Sequence, residues 1–116
     1  YTPEALAKCV ARAWETGGHR VKPMVTEHGS CTDDDTRRVA MIRDALPHLH
    51  AVIASGVPVL GYLHWSLLDN FEWDLGYAPK LGLHAVDRTT FARTPKPSAA
   101  CYAAIARANA LKVQAR

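Results

Sequence analysis

Two spacings of hydrophobic residues alternate along the chain and predict alternating helices and strands. Apolar residues recur at helical spacing through residues 3–16, 34–55 and 97–111. Residues 21–26 and 57–63 are short apolar runs bounded by turn-forming residues, which favours buried strands. Because strand, helix and strand follow in that order, we predict a right-handed crossover between parallel neighbours in an α/β fold.

Turn and capping residues set the predicted ends of these elements. Thr2-Pro3-Glu4 predicts a helix start, with proline at the first helical position, and Gly17-Gly18 predicts its end. Pro47 lies inside the long central helix and predicts a kink or a division in two. The stretch from 81 to 87 predicts a short extra strand, and the tail from Lys112 to Arg116 is expected to fray. The predicted buried face of the central helix consists of Val39, Ile42, Leu46, Leu49 and Ile53.

The second predicted strand, residues 57–63, is apolar on both faces. That pattern is typical of a parallel strand covered by helices. Two strands are too few to close a sheet, and they leave apolar edges unpaired. We therefore expect this unit either to pair with further strands or to self-associate.

Composition and charge exclude several function classes. The 116 residues suffice for one domain, and the formal charge of +3 is small and dispersed. No basic face interleaves with aromatic residues, which argues against nucleic-acid binding. No apolar run approaches the ~20 residues that a membrane span needs, so no membrane association is expected.

The cysteines and histidines argue against disulfides and metals. Cys9, Cys31 and Cys101 are odd in number and widely separated, unlike a disulfide framework or a zinc site. The six histidines are scattered. We therefore expect no metal or organic cofactor, and a reducing, cytoplasmic location.

Carboxylates and tryptophans lie where the two predicted strands end. Glu27 follows the first strand, and the second runs into a loop that carries Trp65, Glu72 and Trp73. A barrel of alternating strands and helices places its chemistry at this end of its strands. Two carboxylates and two indoles suit a neutral polyhydroxylated ligand, whereas a phosphate favours Arg, Lys or a glycine-rich nest. A structural salt bridge is the alternative interpretation of Glu27.

Two motifs carry a specific resemblance. Val25-Thr26-Glu27-His28-Gly29 resembles the Ile-Thr-Glu-Asn-Gly signature of glycoside hydrolase family 1, the β-glucosidase family. Residues 61–73 resemble that family's last strand and following loop almost residue for residue. The resemblance continues through residues 76–102 and covers nearly the whole chain. It implies that residues 1–116 are the C-terminal quarter of a TIM (β/α)8 barrel, namely its seventh and eighth strands with their helices.

The resemblance also implies residue roles. The family uses a retaining mechanism with two carboxylates about 5 Å apart. Glu27 matches the nucleophile, which forms a glycosyl-enzyme intermediate. Trp65 matches the floor of the sugar subsite, Glu72 the ligand of the sugar's 4- and 6-hydroxyls, and Trp73 the donor to its 3-hydroxyl. The Glu-Trp pair implies an unphosphorylated β-D-glucoside or a related sugar as substrate. Asp69 and Asn70 are expected to brace the loop and not to contact the substrate.

Some positions depart from the family pattern. His28 stands in place of asparagine, and Leu63 in place of an aromatic residue. The family's general acid lies in an Asn-Glu-Pro motif, and this sequence contains no such tripeptide. General acid–base help is worth about 10²–10⁴-fold in rate. The chain alone is therefore expected to be weakly active or inactive, with the N-terminal part of the barrel as its partner; the alternative is a non-catalytic sugar-binding or structural fragment.

Overall fold

A computed structural model describes residues 1–111, which contain three α-helices and one short β-hairpin. The helices are α1 (Ala5–Thr16), α2 (Asp35–Ala54) and α3 (Pro97–Ala108). The strands are β1 (His84–Val86) and β2 (Arg93–Pro95), which pair antiparallel. The three predicted helices and the predicted extra strand are confirmed. The tail from 112 to 116, for which fraying is predicted, lies outside the described residues.

The two predicted main strands form only a minimal parallel pair. A single parallel bridge joins Val25 to Tyr62. Three backbone hydrogen bonds support it: Leu60 N–H donates to Pro23 at 2.8 Å, Val25 N–H to Gly61 at 3.0 Å, and Leu63 N–H to Val25 at 2.8 Å. The parallel order is confirmed, but the prediction of two regular strands is wrong. Proline at 23 and 58 removes N–H groups that a longer ladder would use.

The long helix α2 runs unbroken through Pro47. Of the two predicted alternatives, a kink or a division in two, the division is therefore wrong. Pro47 is exposed, as is Arg43 four residues earlier. Water can therefore bond the Arg43 carbonyl group that proline leaves without a donor.

The core forms where α2 packs between α1 and α3. The predicted face of α2 is confirmed at Ile42, Leu46 and Leu49, which are buried. It is wrong at Ile53, which is 43% exposed. The buried residues of the core are Val10, Val25, Met41, Ile42, Leu46, Leu49, Leu83 and Ala99.

A buried ion pair fixes the start of α2. Arg38 is fully buried, pairs with Asp35, and donates hydrogen bonds to the carbonyl groups of Thr32 and Lys80. Asp35 also accepts hydrogen bonds from the backbone N–H and hydroxyl of Ser98, at 2.7 and 2.8 Å. One carboxylate thus joins the beginnings of α2 and α3.

Large apolar side chains remain exposed on the second extended segment. Leu60 is 64% exposed and Leu63 is 49% exposed. The expectation that helices cover both faces of this segment is therefore wrong for residues 1–111. None of the helices within residues 1–111 has the length and apolar character needed to cross a membrane.

Candidate functional site

The parallel pair brings the segment of Glu27 against that of Trp65. Trp65 N–H donates to the carbonyl oxygen of His28 at 3.0 Å. Gly29 lies so close that an added Cβ would be 1.8 Å from the Trp65 carbonyl oxygen. Only glycine permits this approach. The strand ends that carry Glu27 and Trp65 are therefore neighbours, as the predicted crossover requires.

The side chains of Glu27 and Trp65 are both exposed to solvent at the junction, which is our name for the contact between residues 27–29 and Trp65. Glu27 is exposed, and Trp65 is 39% exposed. A carboxylate and an indole at adjacent strand ends can present an acceptor and an apolar surface to one ligand. An exposed carboxylate at this position is free to meet such a ligand.

The loop after Trp65 is held by a buried carboxylate. Asp69 is 5% exposed, and its Oδ1 accepts hydrogen bonds from Gly82 N–H and Lys96 Nζ, both at 2.8 Å. Lys96 also donates to the Gly82 carbonyl oxygen at 2.8 Å, and Arg88 donates to the Asp69 carbonyl oxygen. The prediction that Asp69 braces this loop is confirmed.

Close backbone contact completes this anchor. A Cβ added at Gly82 would lie 2.1 Å from the backbone nitrogen of Asp69 and 2.3 Å from the carbonyl carbon of Leu68. The Ser66 hydroxyl donates to the Leu68 carbonyl oxygen at 2.7 Å. These contacts fix the backbone conformation of the loop that follows Trp65.

The far end of the loop carries Glu72 and Trp73 in a tight turn. Glu72 N–H donates to the Gly76 carbonyl oxygen at 2.7 Å, and Trp73 has a positive φ of 44°. Glu72 is half-buried, whereas Trp73 is 86% exposed. The Trp73 indole is therefore free to contact a ligand.

An imidazole and tyrosine cluster lies beside the junction. The Tyr62 hydroxyl lies 2.9 Å from His28 Nδ1 and 3.2 Å from His64 Nδ1. Tyr102 donates to the Tyr62 carbonyl oxygen at 3.1 Å. Burial lowers the pKa of His28, lowers that of His64 to about 4 and raises that of Tyr62. Both imidazoles are therefore neutral at neutral pH.

Two parts of this arrangement, the contacts of Tyr62 with the two histidines and the contact of Lys96 with Asp69, were not predicted from the sequence. The alternation Tyr62, Leu63, His64 was a usable signal, because residues two apart in an extended segment share a face. Lys96 gave no comparable signal, since 27 residues separate it from Asp69. Among residues 1–111, no three His, Cys, Asp or Glu side chains are grouped to hold a metal ion.

Comparison with known proteins assigns the family. The model described as Glycosyl hydrolase family 1 matches residues 3–111. The chain belongs to this family. The expected resemblance is therefore confirmed, and the family's glycosidases are the class of enzyme to which this chain is related.

Curated relatives match most of this chain, and the chain spans only about a fifth of their length. The β-galactosidase of Sulfolobus acidocaldarius is 35% identical over 111 residues, which are 96% of this chain and 22% of that protein. Galactolipid galactosyltransferase SFR2 of Arabidopsis thaliana is 41% identical over 98 residues, 83% of this chain and 16% of that protein.

Solved family 1 structures have the same architecture over this segment. The β-glycosidase from Pyrococcus horikoshii superposes with a TM-score of 0.88 at 38% identity, over 97% of this chain and 26% of that chain. The apo structure of β-glucosidase 1317 superposes with a TM-score of 0.83 at 48% identity, over 97% of this chain and 27% of that one. The chain therefore spans about a quarter of these TIM-barrel enzymes.

Proposed function

We propose that this chain supplies the nucleophile and part of the sugar subsite of a retaining β-glycosidase. Glu27 attacks the anomeric carbon of an unphosphorylated β-D-glucoside or related sugar, and the aglycone leaves. Water then hydrolyses the glycosyl ester on Glu27. The observation that carries the proposal is the hydrogen bond from Trp65 N–H to the His28 carbonyl oxygen at 3.0 Å, which joins the two motif-bearing segments.

The sugar subsite in this proposal uses the loop held by Asp69. The Trp65 ring packs against the apolar face of the sugar, and Glu72 accepts hydrogen bonds from its 4- and 6-hydroxyls. The Trp73 indole N–H donates to the 3-hydroxyl, which fits an indole that is 86% exposed before a ligand binds. The substrate is neutral, so the site needs no cationic side chain to hold it.

The general acid comes from a partner in this proposal. We assign residues 1–116 to the seventh and eighth strands of the barrel with their helices, and the preceding three quarters to the partner. The exposed Leu60 and Leu63 of the second extended segment support a surface for neighbouring strands. The three cysteines are free, which supports a reducing, cytoplasmic location.

A hybrid barrel tests the proposal. It replaces the matched quarter of β-glucosidase 1317 with this chain, so that the relative provides the general acid. We expect the hybrid barrel to hydrolyse an aryl β-glucoside and Glu27→Gln to lower kcat by more than ~10³-fold. Glu15→Gln, at an exposed position on α1, is the matched control and should retain activity. Retained activity in Glu27→Gln would refute the assigned nucleophile.

The second candidate function is a non-catalytic sugar-binding or structural fragment. The substitution of His28 for the asparagine of the family signature favours it. Calorimetry of the 116-residue chain with glucose and cellobiose separates the two. Sugar binding together with an inactive but folded hybrid barrel favours the non-catalytic fragment, whereas an active hybrid barrel favours the glycosidase.

A further inference from the structure

Near the neighbouring strand ends of Glu27 and Trp65, three side chains form a hydrogen-bonded chain. None of them has a chemical role in the proposed reaction. The Tyr62 hydroxyl stands between two imidazoles, 2.9 Å from His28 Nδ1 and 3.2 Å from His64 Nδ1. We call this the His28–Tyr62–His64 relay. Its two ends are next in sequence to the proposed nucleophile and the proposed floor of the sugar subsite, because His28 follows Glu27 and His64 precedes Trp65.

The number of protons in the relay restricts how it can be arranged. The Tyr62 hydroxyl has one proton and two lone pairs. Its third neighbour, the His28 carbonyl oxygen, is 3.5 Å away, which is too long for an effective O–H···O bond. The hydroxyl therefore donates to one imidazole and accepts from the other.

Two observations favour one direction. The 2.9 Å contact to His28 is shorter than the 3.2 Å contact to His64, which fits a Tyr62 hydroxyl that donates to His28 and accepts from His64. His64 Nε2 is buried without a hydrogen-bond partner among residues 1–111. A proton there would be an unsatisfied buried donor, so the proton of His64 belongs on Nδ1. Both observations give the direction from His64 to Tyr62 to His28.

The environment keeps all three groups uncharged. Burial, followed by repulsion from the Arg38 guanidinium and from His28 whenever that ring is protonated, lowers the pKa of His64 to about 4. Burial also lowers the pKa of His28 and raises that of Tyr62. At neutral pH each imidazole therefore carries one proton, on Nε2 in His28 and on Nδ1 in His64.

We propose that the His28–Tyr62–His64 relay is a positioning device that fixes the spacing between Glu27 and Trp65. It holds His28 as the Nε2–H tautomer and ties the strand end of Glu27 to that of Trp65 through side chains, in addition to the backbone bond. His28 is a positioning residue, and Glu27 keeps the chemical role. The catalytic consequence rests on the proposed function; the arrangement of protons does not.

Nitrogen NMR of the histidines in the 116-residue chain tests the proton arrangement. At neutral pH we expect the unprotonated nitrogen to be Nδ1 in His28 and Nε2 in His64. Tyr62→Phe removes only the hydroxyl and should release both rings into averaged tautomers. Opposite tautomers in the unmodified chain, or tautomers unchanged by Tyr62→Phe, would overturn the relay.

Kinetics of the hybrid barrel test the positioning role. Tyr102→Phe is the matched control, because it also removes one hydroxyl, bonded to the Tyr62 carbonyl oxygen at 3.1 Å, and leaves the relay intact. Tyr62→Phe should lower kcat about 10-fold with KM changed less than about twofold, whereas Tyr102→Phe should lose similar thermal stability and keep its kcat.

The outcomes separate the two proposals. Equal kcat in Tyr62→Phe and Tyr102→Phe would overturn the positioning role. Full activity in Glu27→Gln would overturn the proposed function, while the histidine tautomers would still decide whether the relay exists.

Discussion

Gly29 lies directly against Trp65, with room for a hydrogen atom where any other residue has a Cβ. An added Cβ would be 1.8 Å from the Trp65 carbonyl oxygen and 2.9 Å from its carbonyl carbon. Both contacts are to backbone, which cannot move aside by changing a rotamer. The contact joins the segment of Glu27 to that of Trp65, so the site depends on it sterically.

Gly29→Ala should therefore separate these segments. We expect the free energy of unfolding to fall by about 3 kcal/mol or more, because overpacking against backbone forces the chain to shift. Gly61→Ala is the matched control: its Cβ would meet only the flexible end of Met24, at 3.8 Å. Denaturant unfolding of the two variants measures the difference, and equal stabilities would contradict the close approach.

Removing the amine of Lys96 should loosen the loop between Trp65 and Trp73. Lys96→Met leaves the Asp69 carboxylate buried with one partner fewer, which costs about 3 kcal/mol. The matched control is Lys8→Met, which breaks an exposed pair with Glu4 and should change stability by less than about 0.5 kcal/mol. Thermal unfolding compares the two. A stability loss in Lys96→Met no larger than in Lys8→Met would show that the Asp69 anchor is unimportant.

Acid should destabilise the fold through His64. Its pKa is about 4 in the folded chain, below the ordinary value of 6.5. Between these values the unfolded chain binds more protons, so the free energy of unfolding falls as pH falls from about 6.5 to about 4. One proton contributes at most about 1.4 kcal/mol per pH unit, and less here because the ring is partly exposed. His28, whose pKa is also lowered, acts in the same direction.

Urea unfolding between pH 6.5 and 4 tests whether the free energy of unfolding falls as the pH falls. His64→Gln should flatten the pH dependence, whereas His48→Gln, at an exposed position on α2, should leave it unchanged. Stability that rises as pH falls through this range would contradict the buried neutral imidazoles.

Glu72 should contribute to sugar affinity in the hybrid barrel. Glu72→Gln changes the carboxylate that we propose accepts hydrogen bonds from two sugar hydroxyls. Hydrogen bonds to charged groups are worth about 1.5–3 kcal/mol, so KM for a β-glucoside should rise about 10-fold or more. Asp74→Asn, at the exposed acid in the following turn, is the control. Steady-state kinetics with both variants measure the effect, and an unchanged KM in Glu72→Gln would remove Glu72 from the subsite.

The sequence predicted what local patterns determine. Helical spacing located all three helices, and the order of elements predicted that the segments now seen to be bridged at Val25 and Tyr62 would be parallel neighbours. Two motifs of consecutive residues were enough to identify family 1, because the site is built from short stretches at strand ends. The predicted division at Pro47 was wrong because the loss of one hydrogen bond on an exposed face costs less free energy than the packing of α2 provides.

Long-range polar contacts could not be predicted in the same way. Lys96 reaches Asp69 across 27 residues, and Tyr62 reaches His28 across 34. Neither pair has a spacing that a helix or a strand dictates; each depends on how the elements pack. Local sequence patterns could not predict the exposure of Leu60 and Leu63 either, because it depends on which other segments pack against these side chains.

Covalent trapping tests the central claim most directly. A 2-deoxy-2-fluoro-β-glucoside with a good leaving group slows hydrolysis of a glycosyl-enzyme more than its formation, so the intermediate accumulates. The hybrid barrel should gain one fluoroglucosyl group, and mass spectrometry of its peptides should locate that group on Glu27. A hybrid barrel that hydrolyses β-glucosides while carrying the label on another residue, or carrying none, would contradict the account.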